Sequence, residues 1–151
     1  MKSAYKVLAY IIAALVVVQS AAMVFAVAGL GIWVEEGGVM DAATFESEPE
    51  FTGALGFMIH GINGMMLIPL VAIALLVVSF FAKVPGGVRN AAIVLGLIVL
   101  QVALGIFGHE SAYVGMLHGI NALVLFSAAL FSGRAAAKAD AVEAPRAAAT
   151  V

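Results

Sequence analysis

Four stretches of the chain run almost unbroken on apolar side chains, and the segments between them hold nearly every charge. They cover about residues 5–33, 53–82, 90–108 and 112–132. Each is close to or beyond the ~20 residues that a helix needs to cross a hydrocarbon layer of ~30 Å. The pattern predicts an all-α, polytopic membrane protein, a four-transmembrane-helix bundle occupying residues 1–133. The first stretch is longer than the ~7–15-residue apolar core of a signal peptide and ends without a cleavage pattern, so it is expected to remain as a span. Val84-Pro85-Gly86-Gly87 reads as a tight turn, and residues 34–52 form a long outer loop. The Ala-rich tail, 134–151, is expected to be a frayed helix or disordered.

Composition sharpens this picture. The 151 residues are 64% hydrophobic and 11% charged, with a mean hydropathy of +1.15. Soluble chains are roughly 45–50% apolar and about 25% charged, so a water-soluble domain is excluded. A net charge of −2 offers no general attraction to nucleic acid. Without cysteine there is no disulfide, iron–sulfur ligand or thiol nucleophile; a metal would have to be held by His, Met or carboxylate. All seven basic residues, Lys2, Lys6, Lys83, Arg89, Arg134, Lys138 and Arg146, precede the first span, lie between the second and third, or follow the fourth. The other two loops carry Glu35, Glu36, Asp41, Glu46, Glu48, Glu50 and Glu110 and no Lys or Arg. The positive-inside rule then puts both termini in the cytoplasm, and a prokaryotic plasma membrane is the expected location.

The chain also repeats itself. Met58-Ile59-His60-Gly61-Ile62-Asn63 returns as Met116-Leu117-His118-Gly119-Ile120-Asn121. Upstream, Gln19, Ala21 and Phe25 are echoed by Gln101, Ala103 and Phe107. Two tandemly repeated helical hairpins of the same direction imply a pseudo-twofold axis along the membrane normal. Spans two and four then enter from the same side, hold their histidines at matched depth, and sit on a diagonal of the bundle.

Ionisable side chains inside a bilayer are functional candidates by default. His60 and His118 are therefore the candidate metal ligands, as the axial pair of one b-type haem. Asn63, Gly64, Asn121 and Ala122 lie one turn further along, and Gln101 lies on span three; these are the candidate cofactor contacts. His109, with Thr52, Ser111, Tyr113, Trp33 and the outward helix N-termini, is the candidate partner for haem propionates. Alternatives for the two histidines are interhelical hydrogen bonding, a zinc or copper site, a proton relay, and chance packing. Zinc lacks its usual four ligands, and a relay lacks titratable groups below Asn63 and Asn121. Met58, Met65, Met66 and Met116 are read as packing residues, and Pro69 as a kink below the site.

The run Leu100-Gln101-Val102-Ala103-Leu104-Gly105-Ile106, a short loop, then Leu117-His118-Gly119-Ile120-Asn121-Ala122-Leu123 resembles one half of the haem A synthase family. Gly29-Leu30-Gly31, followed by a long outer loop and the His60 span, is similar in layout. The resemblance spans about residues 15–130 in architecture and implies a four-helix bundle with His60 and His118 as a haem-ligand pair. It departs at Phe57, where the family has an acidic residue, at Gly61, where Arg is usual, and in lacking a loop cysteine pair. Three functions are thus in view. One is a b-type haem protein in electron transfer or haem-dependent redox chemistry, with respiratory-chain proteins or a homo-oligomer as partners. The second is a compact haem A synthase-like oxidoreductase. The third is a cofactor-free structural subunit.

Overall fold

The computed structural model describes residues 1–47 and 50–148. It is helical, with α1 at Lys2–Glu35, a short α2 at Ala42–Ser47, α3 at Ala54–Ile62, α4 at Ile68–Ala82, α5 at Gly87–Phe107 and α6 at Ala112–Ala148. One π-helical turn, Asn63–Leu67, joins α3 to α4. Four helices are long and apolar enough to cross a membrane, with α3 and α4 forming one rod. The chain is a membrane-spanning four-helix bundle, as the apolar pattern predicts.

Its winding is sequential. Helix α1 packs against the α3–α4 rod and against α6, while α5 packs against α4 and α6. Span two therefore lies diagonally from span four.

Of the two forms expected for the tail, helix or disorder, the described residues take the helix. Residues 134–148 continue α6 instead of dissolving; residues 149–151 lie outside the described residues. Alanine is the best helix former, and tertiary contacts hold the extension in place. The Tyr10 ring lies where a side chain on Gly133 would go, Ala136 is fully buried, and Lys6 Nζ lies 3.3 Å from Asp140 Oδ2. At the same end Tyr5 donates a hydrogen bond to the Gly87 carbonyl, 3.0 Å. The α4–α5 turn uses left-handed backbone at Lys83 and Gly86.

The two halves of the bundle are built differently. The close-packed core comprises Tyr5, Ala9, Ile12 and Val16 of α1, Ile68, Ala72 and Leu75 of α4, Ala91, Val94 and Ile98 of α5, and Leu125, Ala129 and Ala136 of α6. All of these lie towards the basic end. Towards the acidic end the helices associate as two pairs, joined by small residues that let backbones approach. A Cβ on Gly56 would strike the Ala22 carbonyl and approach the Ala26 methyl. In the other pair, Gly108 lies against Gly115. Ala22, Ala26 and Gly108 are thus occupied in helix contact, and the space for a ligand comes from elsewhere.

The long loop between α1 and α3 crosses back over α1 at Gly29, where a Cβ would collide with the Thr52 carbonyl. Gly53 supports this crossing with φ +108°. Trp33 stacks on Phe51 at 5.9 Å between ring centres, and Phe51 meets Phe57 edge-on at 6.4 Å. Within the loop, Asp41 caps α2 by accepting the Thr44 N–H at 2.8 Å. That hydrogen bond, reinforced by the Thr44 hydroxyl, holds the Asp41 carboxyl below its ordinary range. A depressed folded-state value means that the cap is fully formed above the unfolded carboxylate range and is lost as pH falls through the lower folded value. Asp41→Ala is expected to remove this acid-sensitive step, read as amide exchange at Thr44, without changing the spans.

Candidate functional site

His60 lies six residues beyond Ala54, the first residue of α3, and His118 six beyond Ala112, the first of α6. At ~1.5 Å per residue both sit about 9 Å into their helices, so the matched depth expected from the repeat is present. Their ring centres are 6.1 Å apart, with the planes at 52°. The diagonal winding brings the two imidazoles together across the middle of the bundle.

Each imidazole is fixed by its own hairpin. His60 Nδ1 lies 3.3 Å from the Gln19 carbonyl oxygen, and His118 Nδ1 lies 3.0 Å from that of Gln101. A carbonyl accepts only, so Nδ1 must carry the proton and Nε2 keeps its lone pair. Among the described residues neither Nε2 has a hydrogen-bond partner, and the rings do not bond to each other. Each histidine thus makes an interhelical hydrogen bond within its own hairpin, and neither bonds across the diagonal.

A second layer supports the carbonyls. Asn63 Nδ2 donates to the Leu15 carbonyl and to Gln19 Oε1, both at 3.2 Å. Asn121 Nδ2 donates to the Leu97 carbonyl at 3.0 Å and to Gln101 Oε1 at 2.6 Å. The same four-residue arrangement is thus built twice, from Leu15, Gln19, His60 and Asn63 and from Leu97, Gln101, His118 and Asn121. The repeat in the sequence is a repeat in hydrogen bonding.

Between the pairs lies a cavity of about 300 Å³, at the small end of ligand sites, which run about 300–1,000 Å³. His60, Gly64, Gln101, His118 and Ala122 line it, together with Gln19 and Met23. Its floor is the core, at Val16, Ile68, Ile98 and Leu125. Gly105 lies beside the His118 ring, and a Cβ there would come within 3.1 Å of it.

The candidate contacts therefore separate into groups. Gly64, Gln101 and Ala122 reach the cavity. Asn63 and Asn121 are buried behind it and position the glutamines. His109 is exposed in the turn after α5 and lies away from the cavity, and Tyr113 is likewise exposed. The part played by Gln19 is visible in the repeat, since it echoes Gln101. Met23 carries no such mark, because its counterpart is Gly105.

The separation of the ring centres is close to that of two imidazoles sharing one metal. An imidazole nitrogen lies about 1.1 Å from its ring centre, and metal–imidazole bonds are about 2.0–2.1 Å. Two rings in line with one metal therefore have centres about 6.2–6.4 Å apart, whatever their rotation about that line. Among the described residues no third His or carboxylate joins the pair. A closed zinc site needs four protein ligands, whereas a haem brings its own four nitrogens and needs two axial ones. No family model, curated protein or solved structure matches the chain.

Proposed function

We propose that the chain is a b-type haem protein of the membrane, with His60 and His118 as axial ligands. The observation that carries this reading is the pair of imidazoles 6.1 Å apart, each tied through Nδ1 to a backbone carbonyl. That tie selects the tautomer which presents Nε2, and it makes the ring a firmer ligand. Haem supplies a one-electron redox centre here; the protein residues orient the ligands and keep the site apolar. The excess of Lys and Arg at the end away from the histidines supports a cytoplasmic location for both termini and exchange of electrons at the opposite, acidic face. A prokaryotic plasma membrane fits that arrangement, with a respiratory-chain protein or a second copy of the chain as partner.

Oxidation of a haem methyl group, the reaction implied by the synthase resemblance, has less support. Phe57 stands where the family has its acid, and it packs against Phe51. Among the described residues no carboxylate lines the cavity.

The test is absorption spectroscopy of the protein purified in detergent from haem-replete cells. A reduced-minus-oxidised haem spectrum with about one haem per chain is expected, and it should vanish in the His60→Ala/His118→Ala double variant. A colourless but folded wild-type protein would falsify the proposal and leave a structural subunit.

A further inference from the structure

The two halves of the site are alike in plan and unlike in tightness. On the α5–α6 side, Asn121 holds Gln101 at 2.6 Å, and the His118 ring is 3.0 Å from its carbonyl. Gln101 Nε2 also donates to the His118 backbone carbonyl at 3.0 Å. On the α1–α3 side the corresponding separations are 3.2 Å and 3.3 Å. The third bond has no equivalent there, because the Gln19 amide nitrogen lies against Gly64 instead. Asn63 is 5% exposed, yet its Oδ1 has no hydrogen-bond partner, the single such buried side-chain atom among the described residues.

The backbone differs in the same direction. The π turn Asn63–Leu67 begins three residues after His60, whereas His118 lies inside the uninterrupted α6. Pro69 accounts for the difference: it has no N–H, and its ring crowds the carbonyl four residues earlier. The corresponding residue of span four is Ser127, which bonds within its helix to the Leu123 carbonyl at 2.8 Å. A π turn can revert to regular α-helix or migrate by small changes of hydrogen-bond register, and such turns gather at functional sites.

Resting on the haem reading, we infer that His118 is the anchoring ligand and His60 the exchangeable one, so that a small neutral ligand binds on the His60 side. The ligand class is a diatomic such as carbon monoxide or a nitrogen base such as imidazole. The cavity opens on this side past Gly64, whose missing side chain leaves its place to the Gln19 amide. The π turn gives span two a way to withdraw His60, which breaks its bond to the Gln19 carbonyl but leaves the close α1–α3 approach at Gly56 in place.

The experiment compares single variants and uses carbon monoxide and imidazole as probes of the purified holoprotein. His60→Ala is expected to keep its haem, bind carbon monoxide at once when reduced, and regain a six-coordinate spectrum with imidazole. His118→Ala is expected to lose its haem. The opposite pattern, or equal behaviour of the two variants, overturns the assignment while leaving the haem reading intact. A colourless wild type overturns both. A second variant keeps His60 in place: Pro69→Ser gives span two the residue that span four has. Carbon monoxide binding should then slow by about tenfold or more, as expected if opening costs more free energy. An unchanged rate would remove the role given to the π turn.

Discussion

If the chain binds haem as proposed, Gly119→Leu is expected to lose it while keeping its fold, and Gly61→Leu to keep both. The two glycines are equivalent in the repeat, each following its histidine, and a Cβ at either meets nothing within 4 Å. Neither substitution forces the protein apart. Replacing glycine in a helix with leucine should even favour the helix by several tenths of a kcal/mol. The difference lies in what the open space is. Gly119 lines the cavity between the histidines, and Gly61 does not. A leucine at 119 would therefore compete with a haem macrocycle held there for the same volume. Bound haem per chain should fall by about tenfold or more, a loss of at least ~1.4 kcal/mol in affinity, with an unchanged helical circular dichroism spectrum. Full haem content in Gly119→Leu would move the binding site out of this cavity.

Gly29→Val should produce the largest loss of stability in the molecule. The chain entering α3 passes over Gly29 with the Thr52 carbonyl in the space a Cβ needs. Backbone cannot rotate out of the way as a flexible side chain can. Overpacked interiors typically lose 1–3 kcal/mol, and a backbone collision should reach the top of that range or pass it, about 3 kcal/mol. The crossing, the Trp33–Phe51 stack and the start of α3 would separate together. His60, six residues further on, would lose its fixed height. Gly31→Ala is the control, because its Cβ meets nothing within 4 Å. Thermal unfolding in detergent and protease cleavage of the loop between α1 and α3 measure both. Equal melting of the two variants would mean that the crossing does not hold the acidic end together.

Much of this arrangement is legible in the residues. Apolar length alone marks the spans, and the repeated His-Gly-Ile-Asn motif sets the matched depth and, with sequential winding, the diagonal. What escaped depends on contacts between distant residues. Asn63 and Asn121 lie one turn from the histidines and so look like ligand contacts, but helical spacing does not say which way an amide bonds. Each turns to a glutamine on the neighbouring helix. The small residues of α1 and α5 fit both close helix contact and an open slot; only the partner opposite decides. The π turn was foreshadowed by Pro69, yet proline alone does not distinguish a kink from a widened turn. The tail has alanine's helix preference, but its ordering rests on Tyr10 and Lys6, more than 120 positions away from the residues they hold.

The doubled arrangement of Leu, Gln, His and Asn has a consequence for ancestry. A single hairpin carrying one copy would need a twin, and two such chains related by a rotation axis would present the same pair of imidazoles. Fusing the twins into one polypeptide frees them from identity. One copy can then hold its ring firmly while the other differs, and Pro69, nine residues beyond His60, is a difference that two identical chains could not carry on one side alone.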